Sequence, residues 1–381
     1  MSHRITYVFL LLSLWGCSFS DKINRNPMEV DIDGKRNNVS IFDIFERIEI
    51  IPLETNQSSQ LHFIDRLVCC NDVLYIHDFS GKKIMAFDSA GKFLYKIDDR
   101  GQGPDEYLYI SDFDIDKQGS KMFIVDPVSN TLLEYDLTGK FSSKIKLPTI
   151  ECAYGELKCL DNDKIVFWTY DYKNRLKFYD KSDNHIFQEY FPKKDRSLLD
   201  HFTVRAFPYC NYATTTSVVD NNIYEISSDG IYSIAYTWDF GKLNNSVDIA
   251  KKFPERNLDW EERRVLSNQM RFSEIVNYYF VCIGGNRTYR YAQIARNGKM
   301  VNLWHKISEK KTFVFEKTIE NAAFYPLYWD DAFVIGFGPF GGHSVLEETV
   351  PDIILNKEDL IKKRQIEEND NPVLIKYYFK K

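Results

Sequence analysis

Val73-Leu-Tyr-Ile-His-Asp78 and Lys121-Met-Phe-Ile-Val-Asp126 carry one pattern, and so do Ile84-Met-Ala-Phe-Asp88-Ser-Ala-Gly91-Lys-Phe93 and Leu132-Leu-Glu-Tyr-Asp136-Leu-Thr-Gly139-Lys-Phe141. The offset is the same at every anchor: 126 − 78, 136 − 88 and 139 − 91 all equal 48. A gapless period of this length belongs to the blades of β-propellers. Each unit alternates apolar, β-branched and aromatic residues in short runs broken by Asp, Asn and Gly, the signature of strands joined by tight turns. In Asp88-Ser-Ala-Gly91 and Asp136-Leu-Thr-Gly139 the Asp accepts from backbone amides ahead and the Gly supplies a positive φ. These turns are expected to join the third and fourth strands of a blade. A lone four-stranded sheet exposes two apolar faces, so such sheets stack radially.

Weaker copies follow. Lys164-Ile-Val-Phe-Trp168 with Leu176 to Asp180 reads as a third unit, and Asn222 to Ile226 with Tyr232 to Gly241 as a fourth. Tyr278 to Cys282 with Tyr289 to Lys299 gives a fifth, and Ala332-Phe-Val-Ile-Gly336 begins a sixth. The expected fold is therefore all-β: a six-bladed β-propeller with small helical inserts. One insert opens at Asp259-Trp-Glu-Glu262, the form of a capping box, and reaches Met270. Asn356 caps a second over Lys357 to Glu368, with Glu358 and Asp359 in the positive first turn. Ile48 to Leu53 and Pro372 to Phe379 read as strands from opposite ends of the chain that complete one blade and close the ring.

The beginning of the chain gives the address. Arg4 precedes the apolar run Ile5 to Trp15, which is too short to span a bilayer and fits the core of a signal peptide. Leu14-Trp15-Gly16-Cys17 resembles a bacterial lipobox, with Cys17 the acylated mature N-terminus. Each buried CH₂ of an acyl chain contributes roughly 0.8 kcal/mol, so two or three chains hold a protein on a membrane. The expected organisation is a signal peptide over 1–16, a lipid-anchored tether over 17–38 and the propeller over 39–381. The membrane is thus the first expected partner.

Composition narrows the rest. The 49 basic and 55 acidic residues are scattered, which leaves no basic stripe for a phosphate backbone and argues against nucleic acid. Aromatic residues make up 15% of the chain, well above a disordered composition. Six cysteines remain after Cys17, mostly inside apolar runs such as Leu67-Val68-Cys69-Cys70, and are expected to be buried thiols; Cys152 and Cys159 are the one pair spaced for a check. None has the spacing of a zinc site, and no cofactor loop is present.

With these elements in place, the chain resembles the six-bladed β-propeller lipoproteins of the Bacteroidota, relatives of the NHL-repeat propellers. The resemblance rests on Ile51-Pro-Leu-Glu-Thr55, Gly101-Gln-Gly-Pro-Asp-Glu-Tyr107, Asp239-Phe-Gly241 and Asn371-Pro-Val-Leu374. It implies an exported propeller and an outer-membrane lipoprotein, and supplies no catalytic residue. The family's surface-displayed members carry an acidic run after the acylated Cys; here only Asp21 follows closely, which points to the periplasmic side. Asp88-Ser89-Ala90 resembles an O-glycosylation signal of these bacteria, but so short a match arises easily by chance and the plain turn is the favoured reading.

Two stretches are candidate ligand contacts. Arg100-Gly-Gln-Gly-Pro-Asp-Glu-Tyr107 connects two blades on the face that usually carries function. Arg100, Gln102 and Tyr107 there could hold a sugar or carboxylate, unless the glycines merely shape a sharp crossover. Arg287, Tyr289, Arg290 and Tyr291 put two cations beside stacking rings, as an anionic or saccharide ligand requires, although an exposed outer strand would look the same. Trp238-Asp239 and Trp329-Asp330 lack the Gly-His of a WD repeat, and Gly338-Pro-Phe-Gly-Gly-His343 is a loop with one His. No His-x-Glu-x-x-His, Gly-x-Ser-x-Gly or calcium-loop pattern occurs. The expectation is a non-catalytic binding module for a glycan-like or small polar ligand or an envelope protein. The alternative is a propeller hydrolase or lyase with a metal at the central channel.

Overall fold

The computed structural model describes residues 27–34, 38–116, 118–171, 174–192, 207, 214–216, 221–244, 259–276, 280–338, 346–347 and 349–380. The expected signal peptide and Cys17 lie outside them, as do the cysteine at 210 and the His-bearing loop after Gly338.

Six four-stranded sheets form the body. Blade 1 holds Arg66–Cys70, Val73–Asp78, Lys83–Asp88 and Phe93–Ile97, and blade 2 holds Asp112–Ile115, Lys121–Asp126, Thr131–Asp136 and Phe141–Lys146. Blade 3 runs through Tyr154–Cys159, Lys164–Thr169, Asn174–Asp180 and His185–Pro192. Blade 5 comprises Phe280–Gly285, Tyr289–Arg296, Lys299–Lys306 and Lys311–Phe315. Blade 6 takes Pro326–Trp329, Phe333–Phe337 and Val373–Phe379 from the C-terminal part and its outermost strand, Phe45–Pro52, from the N-terminal part. Phe45 pairs with Phe379 and Pro52 with Val373, the closure that the terminal runs lead one to expect.

Why the strands are apolar on both faces follows from their packing. Leu74 and Ile76 face the seam with blade 6, and Tyr75 the seam with blade 2; one repeat on, Met122 and Ile124 face blade 1, and Phe123 and Val125 face blade 3. Period-two alternation thus divides each strand between two seams instead of between core and water. Six buried clusters fill the six seams, one each, so the ring is closed. At roughly 1.5–3 kcal/mol for each fully buried large apolar side chain, the seams are the main source of stability. Much of the aromatic content is spent here: Phe45, Tyr291, Trp304, Phe324, Trp329, Tyr377 and Phe379 interlock between blades 5 and 6.

The turns behave as their residues dictate. Asp88 Oδ1 accepts from Ala90 N and Lys92 N at 2.9 Å each, and Asp136 Oδ1 from Thr138 N and Lys140 N at 2.9 and 3.0 Å. Gly91 and Gly139 take φ of 87° and 84°, where a side chain would be strained. Asp259 and Glu262 form the expected capping box ahead of the helix Trp260–Arg271, and Asn356 caps Lys357–Arg364, which ends four residues sooner than expected.

Two expectations need correction. The tether does not extend to 38, because Pro27–Glu29 pairs in parallel with Tyr232–Asp239 as the outermost strand of blade 4, whose other strands are Thr214–Thr216 and Asn222–Ile226. Met28, Val30 and Ile32 are buried in the seam with blade 5, and their alternation with Glu29 and Asp31 is the strand signal. Cys152 is exposed and Cys159 buried, and both are free thiols.

Candidate functional site

In each blade the loop from one outermost strand to the next innermost strand shares a face with the turn between the second and third strands. That face is termed the entrance. Residues 98–111 lie on it between blades 1 and 2, so the candidate loop has the expected address. Its side chains have other work. Tyr107 is fully buried in the seam between blades 1 and 2, and its hydroxyl donates to Lys82 O at 2.7 Å. Arg100 is exposed, but its Nε is paired with Asp98 at 2.9 Å. Glu106 Oε2 accepts from Gly103 N at 2.7 Å and occupies the space that a Cβ on Gly101 would need. The glycines therefore serve the crossover, and Gln102 is exposed beside them.

The Arg/Tyr stretch lies at the opposite end of the sheets. Tyr289 and Tyr291 are core residues, and Tyr291 donates to Asn302 Oδ1 at 2.8 Å. Arg290 donates to the carbonyl of Asn286 and lies 5.0 Å over Tyr236. Arg287, 80% exposed, pairs with Asp331 in the equivalent turn of blade 6 at 3.4 Å. Arg100, Gln102 and Tyr107 are thus not brought together with Arg287, Tyr289 and Arg290, and neither tyrosine presents a ring for stacking.

The other shared motifs are also architectural. Buried Asn371 accepts from Leu61 N and donates to Glu54 O and Ser59 O, all at 2.8 Å, so the segment after Ile51–Thr55 is tied to the closing strand. Asp239 Oδ1 accepts from Gly241 N at 2.9 Å and Asn244 Nδ2 at 2.6 Å.

What occupies the entrance over blades 1 to 3 is different. Phe79, 46% exposed, packs edge-on against Tyr109 with centroids 5.7 Å apart. Tyr170, 53% exposed, lies against Gly155 of the innermost strand of blade 3, where a Cβ would come within 3.0 Å of its ring. Burial, then the nearby Asp65 and Tyr170, raise the Tyr109 hydroxyl above its ordinary pKa. Beneath them His77 is wholly buried, edge-on to Phe79 at 6.1 Å and Phe113 at 6.4 Å. Neither of its ring nitrogens makes a hydrogen bond, and Asp65, a quarter exposed, places a carboxylate oxygen 3.3 Å from Nδ1. A buried polar group without a hydrogen bond costs about 1–3 kcal/mol. His77 stands where the next repeat has Val125, a departure from the pattern that marks it in the sequence.

Deeper at the inner edge, three blades are joined by charge. Arg66, on the innermost strand of blade 1, reaches Asp112 through Nη1 and Asp114 through Nη2 at 3.1 Å, both on the innermost strand of blade 2. Asp112 and Asp114 in turn accept from Leu157 N and Cys159 N of blade 3 at 2.9 Å each, and Lys158 Nζ lies 3.2 Å from Asp114. Two carboxylates at i and i+2 in a strand lie on one face, which is the arrangement a metal would use, but here Arg66 and Lys158 supply the compensating charge. Among the described residues no group of three or more His, Cys, Asp or Glu is disposed to hold a metal ion, and no helix is long and apolar enough to cross a membrane.

These features define a six-bladed β-propeller with exposed aromatics, Phe79 and Tyr170, at the entrance over blades 1 to 3. Over residues 27–378 the chain matches the family described as Domain of unknown function (DUF4934), and it belongs to that family. A Bacteroides fragilis protein described as exported is similar in structure over 93% of this chain and 99% of its own, with 15% identity and a TM-score of 0.73. A member of the DUF4221 family from Bacteroides vulgatus is similar over 91% of this chain and 99% of its own, at 9% identity and a TM-score of 0.50. These likenesses are of fold. None of the curated proteins matches the chain.

Proposed function

We propose that this chain is an exported, lipid-anchored propeller of the outer membrane, facing the periplasm, that binds a small polar or glycan-like ligand at the entrance over blades 1 to 3. The observation that carries the binding role is the exposed pair Phe79 and Tyr170, with half-buried Tyr109 edge-on to Phe79, beside Asp65 and the unbonded His77. Rings that offer a flat apolar face beside a carboxylate and a buried nitrogen suit the alternating CH and OH surface of a sugar. A rigid ring of blades holds them in place, which spares much of the ordering cost of binding. The address is supported by the run Ile5 to Trp15 and the Cys17 tetrapeptide, and by the exported Bacteroides fragilis protein of like fold.

The test is a glycan-array and pull-down screen of wild type, Phe79→Ala/Tyr109→Ala and Arg100→Ala, beside a hydrolase and lyase panel with and without chelator. Binding that is lost in the first variant and kept in the second supports the proposal. Equal binding by all three removes the entrance aromatics from the site. Chelator-sensitive turnover replaces a binding role by catalysis, and retention of a protein instead of a glycan makes the ligand an envelope partner.

A further inference from the structure

We infer that the ring carries a second binding site, on the face opposite the entrance, for a small carboxylate with an apolar body, held by Lys376. It is independent of the entrance. Where the turn Asn71-Asp72 of blade 1 meets the turn 330–332 of blade 6, the seam between these blades opens into a cavity of about 190 Å³. Pockets for drug-sized ligands measure roughly 300–1,000 Å³, so the ligand of this one is small. Ile51, Leu74, Phe333 and Ile335 give it apolar walls, and Lys376 supplies a positive charge.

Period-two alternation places that charge. Ile375 and Tyr377 enter the seam with blade 5 and Leu374 the seam with blade 1, so Lys376 also faces blade 1, at the end where the seam opens. Its Nζ lies 4.0 Å from the centre of the Phe333 ring and 5.1 Å from that of Tyr378, which shields its flanks from water. Lys376 is half-buried, and among the described residues no carboxylate forms an ion pair with it. The acids nearest in the fold are engaged elsewhere or open to water. Glu49, opposite Lys376 on the neighbouring strand, accepts from the Tyr378 hydroxyl at 2.8 Å and pairs with Arg47 at 3.5 Å. Asp330 accepts from Ala332 N at 2.9 Å, and Asp72 is exposed on the rim, where solvent screens it. Burial raises the Cys69 thiol in the cavity wall; of the charges acting on it, Lys376, which lowers it, comes ahead of Asp330, which raises it, so the field inside is positive. A carboxylate entering there meets a partly desolvated ammonium, where a charge-assisted hydrogen bond is stronger than in water. The walls reward a hydrocarbon body.

The experiment is a ligand-observed NMR titration with isovalerate, acetate, isopentanol and isopentylamine at equal ionic strength, on wild type, Lys376→Met, Lys376→Arg and Lys380→Met. Lys380→Met removes the same charge just beyond the same strand and controls for a general field effect; melting curves confirm that each variant folds. Wild type is expected to bind isovalerate about tenfold more tightly than isopentanol, with acetate weaker for want of an apolar body and the amine weakest. Lys376→Met is expected to abolish the preference for the acid, and Lys376→Arg and Lys380→Met to retain it. In hydrogen exchange, isovalerate should protect 69–74 and 333–335 and leave 79–82 unchanged. Equal affinity for acid and alcohol overturns the inference, as does a preference that survives Lys376→Met or is lost equally in Lys380→Met. Acetate bound as tightly as isovalerate, or protection confined to the entrance, overturns it too. Phe79→Ala/Tyr109→Ala should bind isovalerate as wild type does, so failure of the entrance reading leaves this site standing, and failure here leaves the entrance reading intact.

Discussion

Replacing Arg66 by Met keeps the aliphatic stem and removes the guanidinium that joins blades 1 and 2. Its side chain is 2% exposed and those of Asp112 and Asp114 are 0% and 2% exposed. After the substitution the two carboxylates keep the amides of Leu157 and Cys159, and Asp114 keeps the ammonium of Lys158. Loss of one partner from a buried ion pair costs about 3–5 kcal/mol, because the remaining charge stays buried. For a ring of this size the unfolding entropy is roughly 0.7 kcal/mol/K, so the midpoint in scanning calorimetry should fall by about 4–7 °C. The triple variant Arg66→Met/Asp112→Asn/Asp114→Asn removes the stranded charges and keeps amide acceptors, and should recover more than half of that loss. A fall within about 1 °C for the single variant, or a triple variant no more stable than the single one, would refute the reasoning.

Asn371→Ala strands Leu61 N and the carbonyl of Ser59, while the Glu54 carbonyl keeps the Ser59 hydroxyl; a cost of about 2–4 kcal/mol is expected, read as a lower urea midpoint with an unchanged slope. Glu134 is buried, which alone would raise its pKa, but the hydrogen bond from Lys121 and the charge of Lys181 outweigh burial and hold it below the ordinary glutamate value. Its stabilising contribution is then complete above that ordinary value and lost as pH falls through the lower folded one. The urea-midpoint gap between wild type and Glu134→Gln, present at pH 7, should close below about pH 4, and a gap independent of pH would contradict this. In cells, Cys17→Ser or globomycin treatment should accumulate a precursor without palmitate label; unchanged processing would remove the lipid anchor.

The ring was legible from local chemistry. The 48-residue offset, the Asp and Gly of the turns and the caps at Asp259 and Asn356 act within a few residues, so a single stretch reveals them. Closure was legible because two apolar runs at the ends needed partners. The site was less so. Tyr107 and Tyr289 sit beside charged residues and read as exposed, yet each ring enters a seam whose other wall is a distant blade. Asp112 and Asp114 could be placed on one face from their spacing, but Arg66 lies 46 residues from Asp112. The real guide to the entrance was His77, quoted within the repeat itself and standing where Val125 stands in the next copy. Likewise the alternation Met28-Glu-Val-Asp-Ile32 is a strand pattern within a segment read as a tether, and only the edge of blade 4 gives it a partner.

The claim that one face of the ring binds ligand is tested most directly by hydrogen-exchange mass spectrometry with the tightest ligand from the screen. The account expects protection at residues 62–65, 79–82 and 108–111 and around Tyr170, with no change at 286–292 or 330–332. Protection confined to 286–292 and 330–332, with the entrance unchanged, would place the site on the opposite face and contradict it.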